Sequence, residues 1–195
     1  MLLAFALAHK LRLLVQDKEL AMQQLNRSII QAHTDHLTGI ANRHAFDDQL
    51  ARRHADAQGG REEGGLALLL IDLDGLKSVN DRHGHARGDA LLRDFAQGLA
   101  QLLREGVAVF RLGGDEFTIL APPRAVDGLL AALQQLEGAL RQRGYPQAGA
   151  SVGWALAAES PSSDQMLALA DQRMYQHKNA RRRARAGDAL AAAGQ

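Results

Sequence analysis

The feature that most constrains this chain is a glycine pair between two β-favouring runs. Residues 109–112 precede Gly113-Gly114, and residues 117–120 follow. Apolar runs on both sides of paired glycines predict a hairpin, because glycine accepts the positive φ angles of a tight turn. Asp115 and Glu116 then stand at the turn, where glycines without Cβ atoms also let phosphates approach. An ordinary hairpin with solvated acids at its tip explains the same residues.

Composition restricts the class of protein further. The 195 residues suit one domain with an appendage, and 46% hydrophobic residues are enough for a core. Only 4% are aromatic, so Leu, Ala, Val and Ile must build that core. The absence of cysteine excludes disulfides, a thiol nucleophile and a cysteine-ligated metal. A formal net charge of +1 gives no global attraction to nucleic acid, and no nucleic-acid partner is expected.

Residues 1–33 are predicted to form a membrane-proximal linker helix. Between about Leu7 and Ala32 there is no glycine or proline. A heptad seam with weak members runs through Leu11, Leu14, Lys18, Ala21, Leu25 and Ser28. The pattern fits either a helix that pairs with a second copy of itself or a single amphipathic helix that lies on the domain. The apolar residues 1–8 are too few to span a bilayer; a signal-peptide fragment and the end of a truncated membrane helix stay open, and the helix that follows favours the second.

The rest of the pattern predicts an α/β architecture in which helices cover a sheet. A buried strand is expected from Leu66 to Ile71, a second around residues 148–157, and the hairpin between them. Helices are predicted over residues 43–57, 90–104, 126–143 and 163–179, with a short helical turn at 76–80 and a glycine-punctuated loop at 83–89. The domain would cover residues 34–183, and a flexible tail residues 184–195.

Polar residues cluster where these strands end. Asp72 and Asp115 follow two different strands. Neighbouring strands lie about 4.8 Å apart, so one divalent cation could bridge the two carboxylates if these strands are neighbours. Carboxylate and carbonyl oxygens suit Mg²⁺ or Mn²⁺. Lys77 stands where a strand passes into a helical turn, a place that offers amides to phosphate. Asn80 and Asp89 together match the hydrogen-bonding edge of guanine, although capping roles explain each singly.

Other chemistries lack support. His83 and His85 are two residues apart on a loop, and no further ligand cluster shows zinc spacing. There is no nucleophile-elbow motif for a Ser/His/Asp triad and no GxxxxGK[ST] phosphate loop.

Four blocks of the sequence resemble the GGDEF family of diguanylate cyclases, in that family's order, between about Asp35 and Arg182. The blocks are 35–43 (DHLTGIANR), 72–81 (DLDGLKSVND) with Gly84-His85 and Gly88-Asp89, 111–117 (RLGGDEF), and 171–175 with Lys178 and Arg182. The resemblance implies a cyclase palm, an α+β fold with a central, mostly antiparallel sheet flanked by helices. It also implies that two GTP molecules become cyclic di-GMP and two pyrophosphates in a homodimer of catalytic domains.

The resemblance assigns roles to individual residues. Asp72, the Leu73 carbonyl and Asp115 would hold Mg²⁺ or Mn²⁺ with Glu116 nearby, and Asp115 would accept the 3′-hydroxyl proton. The expected catalytic residues are Asp115, Glu116 and Lys77. The expected GTP-binding residues are Asn80, His85, Asp89, Lys77, Gly113, Gly114, Lys178 and Arg182. The N-terminal helix resembles those that join such domains to an upstream sensor or membrane module, which implies the cytosolic output end of an inner-membrane protein.

Several residues depart from the family pattern. Gly75 and Leu76 replace a larger residue and a Phe, which would loosen the phosphate loop. His177 and Arg181 replace Ala and Gly beside Lys178. The inhibitory product site keeps Arg104, but Val107 stands where the pattern has Asp, which implies a degenerate site. Two competing interpretations remain: a domain that binds GTP or cyclic di-GMP without turnover, and a plain dimerisation module.

Overall fold

The computed structural model describes residues 2–61 and 64–193, and it separates into two units. The first unit, Met1–Thr34, contains helix α1 (Leu2–His33). Leu14 and Leu25 of the predicted seam are 57% and 56% exposed, whereas the side chain of Leu11 lies outside the described residues. No helix in the described part of the chain is long and apolar enough to cross a membrane.

The second unit, Asp35–Gln195, is built on a four-stranded sheet of order β2-β3-β1-β4, in which every neighbouring pair is antiparallel. The strands are β1 (Ala67–Asp74), β2 (Ala108–Gly113), β3 (Glu116–Ala121) and β4 (Gly149–Leu156). The predicted hairpin forms β2 and β3. The apolar run of β1 lies between β3 and β4 and is buried along its length, as a continuous hydrophobic strand requires.

Helices cover both faces of this sheet. They are α2 (Arg43–Gln58), α3 (Leu76–His83), α4 (His85–Ala100), α5 (Val126–Gln142) and α6 (Ser163–Ala193). Leu69 and Ile71 of β1 belong to one buried cluster with residues of α4 and α5, whereas Leu68 and Leu70 belong to another with residues of α2 and α6. Alternate residues of β1 therefore face opposite helical layers. The predicted α+β class with helices flanking an antiparallel sheet is confirmed.

Predicted boundaries were wrong in several elements, including β1, α4 and α6. β1 continues to Asp74, because its last residues pair with β4 as far as Gly149. α4 begins at His85 rather than Ala90, so the predicted loop over residues 83–89 is mostly helical. α6 runs to Ala193, past the predicted end at residue 179 and into the predicted tail. For α4 and α6, the glycines and arginines of the local sequence predicted a break, but both helices continue through them.

Candidate functional site

The predicted metal residues meet where β1 ends beside the hairpin turn. Asp72 on β1 lies directly opposite Glu116 on β3, and opposite residues of an antiparallel pair share a face. The Leu73 amide donates a hydrogen bond of 2.9 Å to the Asp115 carbonyl, which fixes the turn against β1. The structure thus brings together Asp72, Leu73, Asp115 and Glu116.

Negative charge in this cluster is only partly compensated. Asp72 is buried; its Oδ2 accepts from Lys178 Nζ at 2.6 Å, but its Oδ1 is buried with no partner among the described residues. Burial first, and then the Asp72 and Asp74 carboxylates, raise the pKa of Asp115, against the opposing Lys178 charge. A divalent cation would satisfy both the orphaned oxygen and the crowded carboxylates, so these residues fit a metal.

The glycine turn is held in an open conformation. Gly113 and Gly114 have φ angles of 141° and 52°, and an added Cβ on either would meet nothing within 4 Å. Arg111, one of the residues whose role the sequence did not reveal, donates to the Gly114 carbonyl from Nη2 at 2.8 Å and to Asp35 from Nη1 at 2.9 Å. Burial alone would raise the pKa of Asp35, but the Thr38 hydroxyl and the Arg111 guanidinium hold it below its ordinary value. The turn therefore presents its backbone to open space.

Asn80 and Asp89 lie at the corner where α3 meets α4. Asn80 Oδ1 is buried without a partner in the described chain, and a Cβ on Gly88 would collide with it. Glycine at 88 is thus what lets α4 approach Asn80. Asp89 is half-buried, and His85, the first residue of α4, is exposed. Asn80, Asp89 and His85, which were predicted to surround the guanine base, therefore lie at one corner, and Asn80 Oδ1 is available there as an acceptor.

The first turn of α3 follows directly from β1. Its N-cap Gly75 makes no side-chain cap, and Lys77 is exposed beside it, so the first amides of this helix are available to an anion. Gly75 has φ 92° and lies so close to Gln147 that a Cβ would stand 2.7 Å from its carbonyl oxygen. Leu76 packs against the main core. The two departures from the family pattern therefore each have a structural role here.

Of the basic residues on α6, some are exposed and others form ion pairs within the domain. Arg182 is exposed, but Lys178 is bonded to Asp72. Arg181, which sequence reasoning treated only as a departure, pairs with Asp74 and Glu137. The three-residue spacing from Lys178 to Arg181 was the available signal, since such residues share a helix face.

Arg104 is exposed in the turn before β2, and its carbonyl accepts from the Val107 amide at 2.9 Å. The Val107 side chain packs against the core instead of facing a ligand beside Arg104.

A four-stranded antiparallel sheet that carries paired carboxylates at a glycine turn, with an open helix start beside them, defines a domain suited to binding a metal and a polyphosphate. A family model described as "Diguanylate cyclase, GGDEF domain" matches residues 32–184, and the chain belongs to this family.

Individual relatives agree with that assignment. The chain is 34% identical over 168 residues to diguanylate cyclase DgcS of Shewanella oneidensis, covering 85% of this chain and 56% of that protein. It is 43% identical over 122 residues to diguanylate cyclase TpbB of Pseudomonas aeruginosa, covering 58% of this chain and 28% of that protein. The chain thus spans about half of the first of these relatives and less of the second.

Solved structures share the fold. The coiled coil and GGDEF domain of DgcB from Caulobacter crescentus, crystallised in complex with c-di-GMP, superposes with a TM-score of 0.77 at 27% identity, covering 89% of this chain and 95% of that one. The GGDEF domain of TpbB gives a TM-score of 0.65 at 34% identity, covering 75% of this chain and 89% of that one.

Proposed function

We propose that this chain is a diguanylate cyclase, which condenses two GTP molecules into cyclic di-GMP and two pyrophosphates with Mg²⁺ or Mn²⁺. The observation that carries the proposal is the buried Oδ1 of Asp72, which has no partner among the described residues and lies in a cluster with Asp115 and Glu116. An orphaned carboxylate oxygen in such a cluster is costly unless a ligand completes it. The similar proteins DgcS and TpbB are named as diguanylate cyclases, which supports the same activity.

The metal would be held by Asp72, the Leu73 carbonyl and Asp115, with Glu116 opposite Asp72. When bound, it would supply charge stabilisation to the attacking 3′-oxygen and the leaving pyrophosphate. Asp115 would accept the 3′-hydroxyl proton, a role that a carboxylate beside the reacting group can fill. In each condensation the 3′-oxygen of one GTP forms a bond to the α-phosphorus of the other, and the bond from that phosphorus to pyrophosphate breaks. Two facing copies of the domain complete the ring.

The substrate would lie between the α3–α4 corner and the glycine turn. The phosphates would meet the first amides of α3 with Lys77, the open backbone of Gly113 and Gly114, and the charges of Lys178 and Arg182. The base would meet Asn80 and Asp89, with His85 at the rim.

Guanine selection provides one test of this placement. Asn80→Ala and Asp89→Ala should each weaken GTP binding while leaving the already weak ATP binding unchanged, because the lost groups match only guanine. Calorimetry with Mg²⁺ measures both nucleotides. Equal binding of ATP and GTP by the parent chain would contradict the assignment.

The activity itself is tested by incubation with GTP and Mg²⁺, with the nucleotides resolved by chromatography. We expect cyclic di-GMP and pyrophosphate in a 1:2 ratio, as the condensation requires. Unchanged GTP would contradict the proposal.

One observation favours the competing function, a GTP- or cyclic di-GMP-binding domain without turnover. Lys178 lies 2.6 Å from Asp72 Oδ2 and so competes with a cation for that carboxylate. Nucleotide binding without product in the same incubation would establish this alternative.

The inhibitory product site would be degenerate. Arg104 is exposed, but Val107 packs inward and offers no acceptor to a guanine edge. Cyclic di-GMP would therefore occupy the GTP site, and its inhibition would be competitive with GTP.

The relatives are longer than this chain, and α1 exposes apolar residues between Leu14 and Ile30. These features support a role as the cytosolic output domain of a longer inner-membrane receptor, in which an upstream sensor and a second copy of the chain are the partners.

A further inference from the structure

Arg181 connects three parts of the domain to α6. Its Nε lies 3.2 Å from Asp74 Oδ2 at the end of β1. Its Nη1 and Nη2 lie 2.9 Å and 3.0 Å from the two carboxylate oxygens of Glu137 on α5, and Nη1 also donates to the Ala150 carbonyl of β4 at 3.1 Å. The Arg181 side chain is 23% exposed. Every nitrogen of its fork therefore has a defined partner.

Glu137 is the fixed end of this arrangement. It is buried, and besides Arg181 it accepts from Arg141 Nη2 at 2.6 Å and from the Ala150 amide at 2.8 Å. Paired, charge-assisted hydrogen bonds of this kind set the orientation of a guanidinium. The position of Arg181 is thus determined by α5 and β4, independently of Asp74.

Asp74 is the end that concerns the site. It follows Asp72 by two residues on the same strand, so both side chains lie on the same face. Its carboxylate accepts from the Ser151 hydroxyl at 3.0 Å and pairs with Arg181. Residues two apart on a strand lie about 7 Å from each other, so the Asp74 carboxylate lies beside the metal cluster.

We propose that Arg181 is a positioning residue of the GTP site, which holds Asp74 in an ion pair and so prevents a fourth carboxylate from acting on the metal and the triphosphate. The inference rests on the proposed function, because it assigns the polyphosphate to the cluster of Asp72, Asp115 and Glu116. Without Arg181, the Asp74 carboxylate keeps only Ser151 and adds an uncompensated charge beside a polyanion. Because both charges are partly buried, Coulomb repulsion between them should weaken GTP binding by about tenfold.

The test is a double-mutant cycle on the full chain, with Arg181→Ala, Asp74→Asn and the two combined. The ligand is 3′-deoxy-GTP with Mg²⁺, which cannot be condensed, and binding is measured by calorimetry. Mn²⁺ binding by electron paramagnetic resonance is a second readout that needs no turnover. Arg183→Ala is the matched control, since Arg183 is exposed on the same helix and carries the same charge. If Arg181→Ala melts below the assay temperature, Arg181→Gln, which also removes the charge but keeps a long polar side chain, replaces it in the same cycle.

Arg181→Ala should bind 3′-deoxy-GTP about tenfold more weakly, and adding Asp74→Asn should restore the affinity to within about threefold of the parent. Arg183→Ala should bind as the parent does, and Asp74→Asn alone should bind at least as tightly as the parent, because it removes a negative charge beside the triphosphate. Parent-like binding by Arg181→Ala, or a double variant as weak as Arg181→Ala, would overturn the inference, because a purely structural role predicts no rescue. Absence of binding by the parent would overturn both this inference and the proposed function. Binding with the predicted rescue but no cyclic product would support the inference and overturn the proposed function alone.

Discussion

At the scale of single residues, the informative groups are those whose surroundings leave them incompletely satisfied. Asp72 Oδ1, Asn80 Oδ1 and Thr118 Oγ1 are buried without partners in the described part of the chain. The first two lie in the candidate site, where a ligand would supply the missing contact. Thr118 lies in the sheet between Leu70 and Phe110, where nothing indicates a ligand.

Asp115 links function to stability. Its raised pKa means that the folded state binds its proton more tightly than the unfolded state, so this contribution is fully present below about pH 4 and is lost as pH rises through the folded pKa. Asp115→Asn should therefore raise the melting temperature at pH 7 in chelator, remove the stabilisation by Mg²⁺, and lower turnover by about a hundredfold or more. Melting curves with and without Mg²⁺, beside the GTP assay, measure all three effects. A Mg²⁺-dependent shift that survives in Asp115→Asn would show that the cation binds elsewhere.

Thr118 provides a prediction free of catalysis. Thr118→Val keeps the shape of the side chain and removes a buried hydroxyl without a partner, so it should raise the free energy of unfolding by about 1 kcal/mol. Thr118→Ala removes the same hydroxyl but leaves a small void, and it should be destabilising by about 1 kcal/mol. Urea unfolding measures both. A destabilised valine variant would mean that the hydroxyl has a partner.

At the scale of elements, the junction of β1 and α3 decides how the phosphate end of the site is built. Gly75 and Gly84 begin and end α3, with φ angles of 92° and 80°. Only Gly75 adjoins other backbone, because its added Cβ would lie 2.7 Å from the Gln147 oxygen, whereas Gly84 has nothing within 4 Å. Comparing Gly75→Ala with Gly84→Ala therefore separates the cost of a steric clash from the cost of an unfavourable backbone conformation.

Gly84→Ala should lower the free energy of unfolding by about 1–3 kcal/mol through its backbone conformation alone, because φ 80° with ψ 165° is a region that essentially only glycine adopts. Gly75→Ala should cost at least about 1 kcal/mol more, because either α3 or the Gln147 loop must move, and it should also weaken GTP binding. Urea unfolding and calorimetry provide the comparison. Equal losses of stability in the two variants would show that the Gln147 backbone moves freely.

β4 is an edge strand, and side chains of α5 and α6 cover its outer edge. The backbone groups on that edge form hydrogen bonds with them: the Ala150 amide with Glu137, the Val152 amide with His177, and the Trp154 carbonyl with Arg173. Side chains that cover an edge strand in this way discourage pairing with another chain.

At the scale of the whole molecule, the proposed reaction needs two catalytic domains that face each other. Helix α1 exposes Leu14, Leu20, Leu25 and Ile29, and a paired helix would raise the effective concentration of one domain near another. A chain shortened to begin at Asp35 should therefore lose specific activity on dilution, whereas the full chain should keep it. Light scattering checks the oligomeric state, and specific activity independent of dilution in a monomeric shortened chain would rule out the two-domain mechanism.

The sequence by itself determined the parts whose signals are local. The hairpin follows from a glycine pair between β-favouring runs, the buried β1 from a continuous apolar run, and the positions of Asp72 and Asp115 at strand ends from where those runs stop. These depend on backbone geometry and burial, which a short window of residues encodes.

Only the tertiary structure decided the charge partners. Lys178 and Asp72 are 106 residues apart, Arg111 and Asp35 are 76 apart, and Arg181 and Glu137 are 44 apart. Such partners are chosen by how helices pack on the sheet, and no periodicity along the chain specifies them. The start of α4 at His85 was decided in the same way, because Gly88 serves close contact with Asn80 and not a loop. The local sequence predicts that a charged side chain is exposed to solvent, and only the tertiary structure shows which opposite charge it pairs with.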